Sequence, residues 1–209
     1  MNPHFIHNAL NSIQHFINTN EKETAGKYLA QFANLMRNSL YYSDQESISL
    51  EEEIEFLKEY LDINKKLRYS DEMSFKIEVD DELEEDLICL PSMIVQPYVE
   101  NALEHGIRTR SDGEVSIRFS DHDDETIKCV IEDNGIGREM AMLIQQRGGY
   151  HEKHRSMGTA ITQKRLEVLK SSINNKNLSV QIIDLKDDQG KALGTRVELL
   201  IPILEFKYK

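Results

Sequence analysis

The sequence predicts an α+β fold in which a helical hairpin precedes an α/β sandwich with a mixed, mostly antiparallel sheet. Residues 5–42 place apolar side chains at helical spacing and contain a single glycine. Beyond Asp44, helical stretches are interspersed with short runs that alternate apolar and polar residues, the pattern of half-buried strands. We therefore expect two domains, at residues 1–45 and 46–209.

The composition is that of a globular chain with an acidic surface. Of its 209 residues, 39% are hydrophobic and 30% are charged, and the formal net charge is −12. This charge disfavours nucleic acid or an anionic membrane as the main partner. Cys89 and Cys129 are far apart and form no CxxC motif, so we expect packed, reduced thiols and no zinc site.

The two N-terminal helices each carry one apolar stripe. The stripe residues are Phe5, Ala9, Ile13, Phe16 and Ile17, then Ala25, Leu29, Phe32, Leu35 and Met36. The polar turn Thr19-Asn20 joins the two helices into a hairpin. Because a hairpin with one apolar seam cannot bury that seam by itself, we expect a homodimer in which two hairpins form a four-helix bundle. The alternative is a hairpin packed against its own globular domain.

A capping box, Ser49-Leu50-Glu51-Glu52, opens a third helix that ends near Arg68. An acidic, solvated loop at 80–86 and a mobile, glycine-containing stretch at 138–156 interrupt the elements that follow. Those elements are a strand at 75–79, a helix at 94–107, strands at 115–119 and 127–131, a helix at 158–172, and strands at 178–185 and 196–201.

The helix after Pro97 carries side chains suited to a magnesium–phosphate complex. Asn101 offers a neutral carboxamide oxygen to Mg²⁺, while phosphates and water supply the other ligands. Glu100 could order a ligand water or take a proton. His105, one turn beyond Asn101, could donate to a phosphate. The alternative is a surface helix with a polar stripe.

A second candidate site, Asp133-Asn134-Gly135-Ile136-Gly137, follows the strand-like run at 127–131. A carboxylate at the end of a strand can accept a hydrogen bond from the exocyclic amine of adenine. Gly135 and Gly137 would let the backbone approach the base. The competing interpretation is an ordinary hairpin turn, because Asp-Asn-Gly is a common turn sequence.

The stretch after this turn favours a nucleotide site, because it is long, glycine-containing and locally basic. Its cationic residues are Arg147, His151, Lys153, His154 and Arg155. It leads to Gly158-Thr159 at the start of a helix, and a helix N-terminus with a glycine is suited to binding phosphate. Long loops in compact domains are commonly lids or binding loops.

Together these motifs resemble the LytS-type sensor histidine kinases, which carry an Asn-Pro-His-Phe phosphoacceptor box. The matching boxes, in the family's order and spacing, are Asn2-Pro3-His4-Phe5-Ile6-His7-Asn8, then Gln96-Pro97 with Glu100-Asn101-Ala102 and His105-Gly106 (the N box), Asp133 to Gly137 (the first glycine box), and Gly194-Thr195 before the last strand. The resemblance covers nearly the whole chain and implies an ATP-binding domain of the Bergerat type.

The resemblance implies a role for each matching residue. His4 would be the phosphoacceptor and Asn101 would hold Mg²⁺. Asp133 would bind the adenine amine of ATP, with Thr195 nearby. The residues that would shape the lid and the phosphate loop are Gly135, Gly137, Gly158 and Thr159.

Two positions depart from the family pattern. His7 stands where the family usually has an aromatic residue, one turn from His4, and we assign the acceptor role to His4 because it follows Asn-Pro. Gly158-Thr159-Ala160 retains one glycine where many relatives show Gly-x-Gly-Leu, so phosphate contacts there are reduced or carried by Thr159.

Asn8 is a further candidate because it lies four residues after His4, on the same helix face. An amide at this position could orient a water that hydrolyses an aspartyl phosphate on a partner.

Three other classes of protein compete with this interpretation. A Bergerat-fold ATPase usually carries a water-activating Glu where this chain has Pro97. A serine kinase of the anti-sigma type is disfavoured by the N-terminal hairpin with His4. A degenerate, non-catalytic dimeric scaffold is the third alternative.

The resemblance also implies a partner and a location. The partner would be a response regulator whose receiver domain accepts the phosphoryl group, often joined to a LytTR-type DNA-binding domain. The sequence contains no apolar run long enough to span a bilayer and no signal peptide. Because it opens inside a motif, we expect the cytoplasmic part of a membrane-anchored sensor whose upstream segment is missing.

Overall fold

The computed structural model describes residues 3–69, 72–108, 110–147 and 178–204, with the backbone alone for residues 3, 4 and 144–147. The helices are α1 (Pro3–Asn18), α2 (Lys22–Ser43), α3 (Leu50–Arg68), α4 (Gln96–Asn101), which continues into a π-helical segment (Ala102–Ile107), and α5 (Arg138–Arg147). The strands are β1 (Ser47–Ser49), β2 (Ser74–Val79), β3 (Cys89–Pro91), β4 (Glu114–Asp123), β5 (Thr126–Asp133), β6 (Ser179–Lys186) and β7 (Ala192–Pro202).

Five strands form the main sheet in the order β2-β4-β5-β7-β6. The outer pair β2 and β4 is parallel, and the other three pairings are antiparallel. The inward side chains of β4 and β5 alternate as the sequence predicts and are almost fully buried: Val115, Ile117, Phe119, Ile127, Cys129 and Ile131. The predicted α+β fold with a mixed, mostly antiparallel sheet is confirmed. Cys89 and Cys129 are buried free thiols, as expected from packing.

The hairpin of α1 and α2 packs on α3 of its own chain. The Phe5 ring lies 5.1 Å from the Tyr60 ring and 6.0 Å from the Phe32 ring. Asn20, with φ of 66°, makes the tight turn between the helices. The apolar seam around Phe5 is therefore covered by α3 of the same chain. This is the second of the two arrangements predicted from the sequence, a hairpin packed against its own globular domain. Ile17 and Leu29, which were predicted to lie in the seam, are instead exposed. With Leu10 and Leu40 they form an exposed apolar set, here called the outward stripe.

The capping box at the start of α3 is confirmed. The Ser49 hydroxyl accepts from the Glu52 N–H at 3.1 Å, and the Glu52 carboxylate accepts from the Ser49 N–H at 2.9 Å. Just before it, the three-residue strand β1 pairs antiparallel with β3. Strands this short carry no periodicity, so the sequence did not reveal this pair.

Three predicted elements need correction. The stretch that we interpreted as mobile begins with a helix, α5, whose first turn is tied to β6 by two Arg138–Asp184 hydrogen bonds of 2.7 Å. Gly194-Thr195 lies inside β7 and not before the last strand. The helix predicted from residue 94 begins at Gln96.

The predicted helix at 158–172, with Gly158 and Thr159, lies outside the described residues. Within the described part of the chain, no helix has the length and apolar character needed to cross a membrane.

Candidate functional site

Asp133 lies at the end of β5, between two neighbouring strands. In the strand register Val115 of β4 and Thr195 of β7 are its partners on either side. Its side chain is 5% exposed. The backbone N–H group of Gly135 donates to its carboxylate at 2.8 Å. The predicted proximity of Asp133 and Thr195 therefore follows directly from strand pairing.

Burial dominates the electrostatics of Asp133. Desolvation of the carboxylate raises its pKa from 3.8 to about 6, although the Gly135 N–H donor opposes that rise. The side chain is thus ionised at neutral pH, yet it has few hydrogen-bond partners. A carboxylate in this state accepts strongly from a donor such as an aromatic amine.

Three glycines allow the backbone to crowd around Asp133. A Cβ atom added to Gly106 would lie 2.6 Å from the Asp133 Oδ1 atom. One added to Gly194, where φ is 142°, would lie 1.8 Å from the Asp133 carbonyl oxygen. One added to Gly135 would lie 2.3 Å from the Gly106 carbonyl group. The close approach at Gly135 is therefore made to Gly106, and the Ile136 N–H donates to the Gly106 carbonyl oxygen at 3.2 Å.

Gly137 has φ of 77°, a conformation that favours glycine, and it directly precedes α5. Asn134 fixes the same turn from the other side. Its amide oxygen accepts from the Glu114 N–H, and its amide nitrogen donates to the Asp112 carbonyl, both at 2.8 Å. Asn134 thus has a structural role in the loop between β5 and α5.

The N-box helix, α4 with its π-helical continuation, exposes Asn101 and His105. Glu100, which we expected to take a proton or order a water, accepts from the Gln96 amide at 2.7 Å. The segment before the helix is held by the buried Glu53 carboxylate, which accepts from the Met93 and Val95 N–H groups at 3.2 Å. The π-helical geometry is found frequently at functional sites.

A buried polar network joins the N-box helix to the end of α3. The guanidinium of Arg68, at the end of α3, donates to Glu104 at 2.6 Å and to Asn64 at 3.1 Å. The Tyr69 hydroxyl donates to the Leu103 carbonyl at 2.8 Å. Both charged side chains of the Arg68–Glu104 pair are less than a tenth exposed.

Sequence reasoning missed the roles of Glu53, Arg68 and Glu104. Glu53 carried a usable signal, because it is a charged residue bracketed by the apolar residues Leu50, Phe56 and Leu57 at helical spacing. A charge at such a position indicates a buried partner. Gly106 was placed in the N box, but its contacts with Asp133 and Gly135 join segments that are distant in sequence and were not predicted.

The helix that carries His4 lies against α3, apart from Asp133. His4 is in the first turn of α1, Asn8 is half-buried one turn later, and His7 is exposed. Asn8 lines a cleft of about 460 Å³ that also touches Arg108, just beyond the N-box helix. The structure thus groups Asp133, Thr195, Gly135 and the N-box helix, with His4 and Asn8 on a neighbouring helix. Gly158 and Thr159 lie outside the described residues.

Family models match most of the chain. The histidine kinase model matches residues 1–73, and the model of the histidine kinase-, DNA gyrase B-, and HSP90-like ATPases matches residues 90–205, which is more than half of the chain.

Curated relatives agree with these matches. The sensor histidine kinase YpdA of Escherichia coli (strain K12) is 31% identical over 66% of this chain and 23% of its own length. The sensor protein LytS of Oceanobacillus iheyensis is 27% identical over 97% of this chain and 33% of its own length. The chain therefore spans about a third or less of these relatives.

Among solved structures, the mycobacterial sensor histidine kinase MprB aligns with a TM-score of 0.50 at 16% identity. The alignment covers 77% of this chain and 99% of that one, and this likeness concerns the fold alone. The family model over residues 90–205 shows that the chain belongs to the histidine kinase-, DNA gyrase B-, and HSP90-like ATPase family, and its curated relatives are sensor histidine kinases and LytS sensor proteins.

Proposed function

We propose that this chain is the kinase portion of a two-component sensor, which moves the γ-phosphoryl group of ATP to His4 and then to an aspartate of a response regulator. The observation that carries the proposal is the buried Asp133 carboxylate at the end of β5, beside the exposed Asn101 face of the N-box helix. The family membership supports the same reaction.

Adenine recognition falls to Asp133. Its carboxylate accepts from the Gly135 N–H group, which leaves acceptor capacity for the exocyclic amine of adenine. The three glycines let neighbouring backbone segments pack closely around this carboxylate, where any larger side chain would collide with it or with Gly106. The Thr195 side chain, on the adjacent strand, is a second polar group for the base.

Asn101 and His105 suit the phosphate end of the nucleotide. No group of three or more His, Cys, Asp or Glu that could hold a metal ion occurs among the described residues. A Mg²⁺ ion at Asn101 would thus rely on phosphate and water oxygens for its other ligands, as Mg²⁺ commonly does, and would neutralise phosphate charge. His105 would donate to a phosphate, and Glu100 would order a water. Gly158 and Thr159 would complete the phosphate loop.

His4 is proposed as the acceptor because a neutral imidazole is nucleophilic near pH 7. Asn8, on the same face of α1, is proposed to orient the water that removes a phosphoryl group from the partner. An Asn8→Ala variant should therefore lose phosphatase activity and keep most autophosphorylation. Equal loss of both activities would disprove this role.

The outward stripe on the hairpin is proposed as the homodimer interface. Leu40 is 68% exposed and Leu29 is 49% exposed, although both are large apolar side chains. Apolar residues that recur along one side of an exposed helical hairpin favour pairing with a second copy. A response regulator, of the kind joined to a LytTR-type domain, and a membrane anchor upstream are proposed from the resemblance alone.

A hydrolytic Bergerat-fold ATPase and a non-catalytic scaffold are the alternatives. The residue one turn before Asn101 is Pro97, which has no carboxylate to activate a water. This observation favours transfer to a protein acceptor over hydrolysis.

Incubation with ATP and Mg²⁺ separates the three classes. A histidine kinase retains acid-labile phosphate on the protein. An ATPase releases inorganic phosphate and retains none, and a scaffold does neither. Calorimetric titration of the intact chain and an Asp133→Asn variant tests the nucleotide site independently of His4.

A further inference from the structure

Helices α1 and α3 lie side by side and run in the same direction. Near the start of α1, the Phe5 ring lies 5.1 Å from the Tyr60 ring. Two turns later, the Ser12 hydroxyl donates to the Leu67 carbonyl at 2.5 Å. Both contacts join residues with the same separation in sequence, so the two helices advance together.

Helix α3 also lies against the N-box helix, and these two helices run in the same direction. Near the start of α3, the Glu53 carboxylate accepts from the Val95 N–H at 3.2 Å, just before the N-box helix begins. About four turns further along α3, Arg68 contacts Glu104 at 2.6 Å. Tyr60 lies between these two contacts, so the first turn of α1, at the level of Tyr60, is also at the level of the N-box helix around Glu100.

An open cleft of about 460 Å³ separates α1 from the end of the N-box helix. Asn8, Asn11 and Ser12 line it from α1, and Arg108 lines it from the other side. Arg108 is exposed, as are Asn101 and His105 of the N-box helix. Asn8 of α1 and Arg108, just beyond the N-box helix, thus border one cleft within one chain.

His4 lies one turn before Asn8, at the end of α1 that is level with Glu100. We infer that autophosphorylation occurs within one chain, so that the nucleotide held at Asn101 and Asp133 phosphorylates His4 of the same subunit. This inference rests on the proposed function. The buried side chains of Phe5, Ala9 and Ile13 hold α1 against its own chain, which keeps the first turn of α1 at the level of the N-box helix of the same subunit.

The step itself is a single displacement. A ring nitrogen of His4 forms a bond to the γ-phosphorus while the bond from that phosphorus to the β–γ bridging oxygen breaks. ADP leaves with the electron pair of the broken bond, and the imidazole proton passes to water.

Two complementary variants test the inference. His4→Gln lacks the acceptor and keeps the nucleotide site, whereas Asp133→Asn lacks the nucleotide site and keeps the acceptor. The two are purified with tags of different size, mixed, and incubated with Mg²⁺ and ATP labelled at the γ-phosphate. We expect no label on either chain of the mixture. Label on the Asp133→Asn chain would overturn the inference.

Controls separate this inference from the proposed function. Wild-type protein alone must retain acid-labile label, and a wild type without label would disprove the proposed function itself. Calorimetry must show that His4→Gln binds ATP as the wild type does. Co-purification through one tag reports mixed dimers. Should none form, the two variants are co-expressed so that mixed dimers assemble during folding, and the labelling is repeated on the doubly tagged dimers; label on their Asp133→Asn chain overturns the inference, and its absence supports it.

Discussion

Arg68 Nη1 donates to Glu104 Oε1 at 2.6 Å and so joins the last turn of α3 to the N-box helix. Neither side chain is more than 7% exposed. Because α3 also contacts both helices of the hairpin through the hydrophobic core, this ion pair links the hairpin side of the molecule to the nucleotide side.

Removing one partner of this pair should be strongly destabilising. Arg68→Met leaves Glu104 buried without its cation, which typically costs about 3–5 kcal/mol. The double variant Arg68→Met with Glu104→Leu should be more stable than either single variant, since no uncompensated charge remains. Urea denaturation of the three variants measures the free energies of unfolding.

The exposed pair Lys76–Glu78 provides the control. Its side chains are 65% and 45% exposed, so Lys76→Met should cost less than about 1 kcal/mol. Equal destabilisation by Lys76→Met and Arg68→Met would contradict the importance given to the buried pair.

The pocket glycines should not tolerate a methyl group. Gly194→Ala would bring a Cβ atom against the Asp133 carbonyl oxygen at a φ that disfavours alanine, and Gly135→Ala would collide with Gly106. Each should lower the free energy of unfolding by more than about 3 kcal/mol. Gly26, which lies in α2 with open space around it, is the matched control, and Gly26→Ala should stabilise by about 0.5–1 kcal/mol. A mild effect at Gly194 would show that the crowding around Asp133 is not as described.

Periodicity and motifs predicted much of this architecture and failed where contacts are long-range. The stripes on α1, α2 and α3, the capping box at Ser49 and the alternation in β4 and β5 are local patterns. Asp133 and Thr195 lie close together, as expected, because they are register partners in the neighbouring strands β5 and β7. The contact of Gly135 with Gly106 joins two segments far apart in sequence, so no window of residues contains it.

The first turn of α5 shows a different limit. Glycines and cations made 138–156 look like one mobile loop, yet Arg138 and Glu139 bind Asp184 and Lys186 of β6. Those partners lie on a strand more than forty residues away, so the order of this turn depends on sheet topology.

ATP affinity should fall as the pH drops through the pKa of Asp133. Burial raises that pKa from 3.8 to about 6, so the carboxylate that accepts the adenine amine is mostly protonated at low pH. Between about pH 7.5 and pH 5 we expect roughly a tenfold loss of affinity in calorimetry. Asp133→Asn should bind weakly at both values, and a wild-type affinity that stays constant would contradict adenine recognition by this carboxylate.

The same shift predicts how stability depends on pH. The folded state holds the Asp133 proton more tightly than the unfolded state, so the favourable contribution is complete below about pH 4 and is lost as the pH rises through about 6. Asp133→Asn should therefore gain stability relative to the wild type as the pH rises through this window. Urea titrations of the wild type and of Asp133→Asn at both ends of this pH range measure the effect. If the pKa of Asp133 were not raised, the difference between their free energies of unfolding would be the same at both ends.

Charging the outward stripe should weaken self-association. Leu29→Glu with Leu40→Glu places carboxylates on the two leucines that α2 contributes to the outward stripe, and sedimentation analysis should show a shift from dimer to monomer. Leu87→Glu, at a similarly exposed leucine just after the acidic loop, should leave the dimer intact. A wild type that is monomeric at all concentrations would refute the proposed interface.

Acid-labile phosphate on the protein, located by peptide mapping after incubation with ATP and Mg²⁺, tests the central claim most directly. The account predicts label on the wild type and on His7→Gln, confined to the peptide that contains His4, and none on His4→Gln. Label that persists in His4→Gln and disappears in His7→Gln would contradict the assignment of the acceptor. Released phosphate without retained label would contradict the kinase itself.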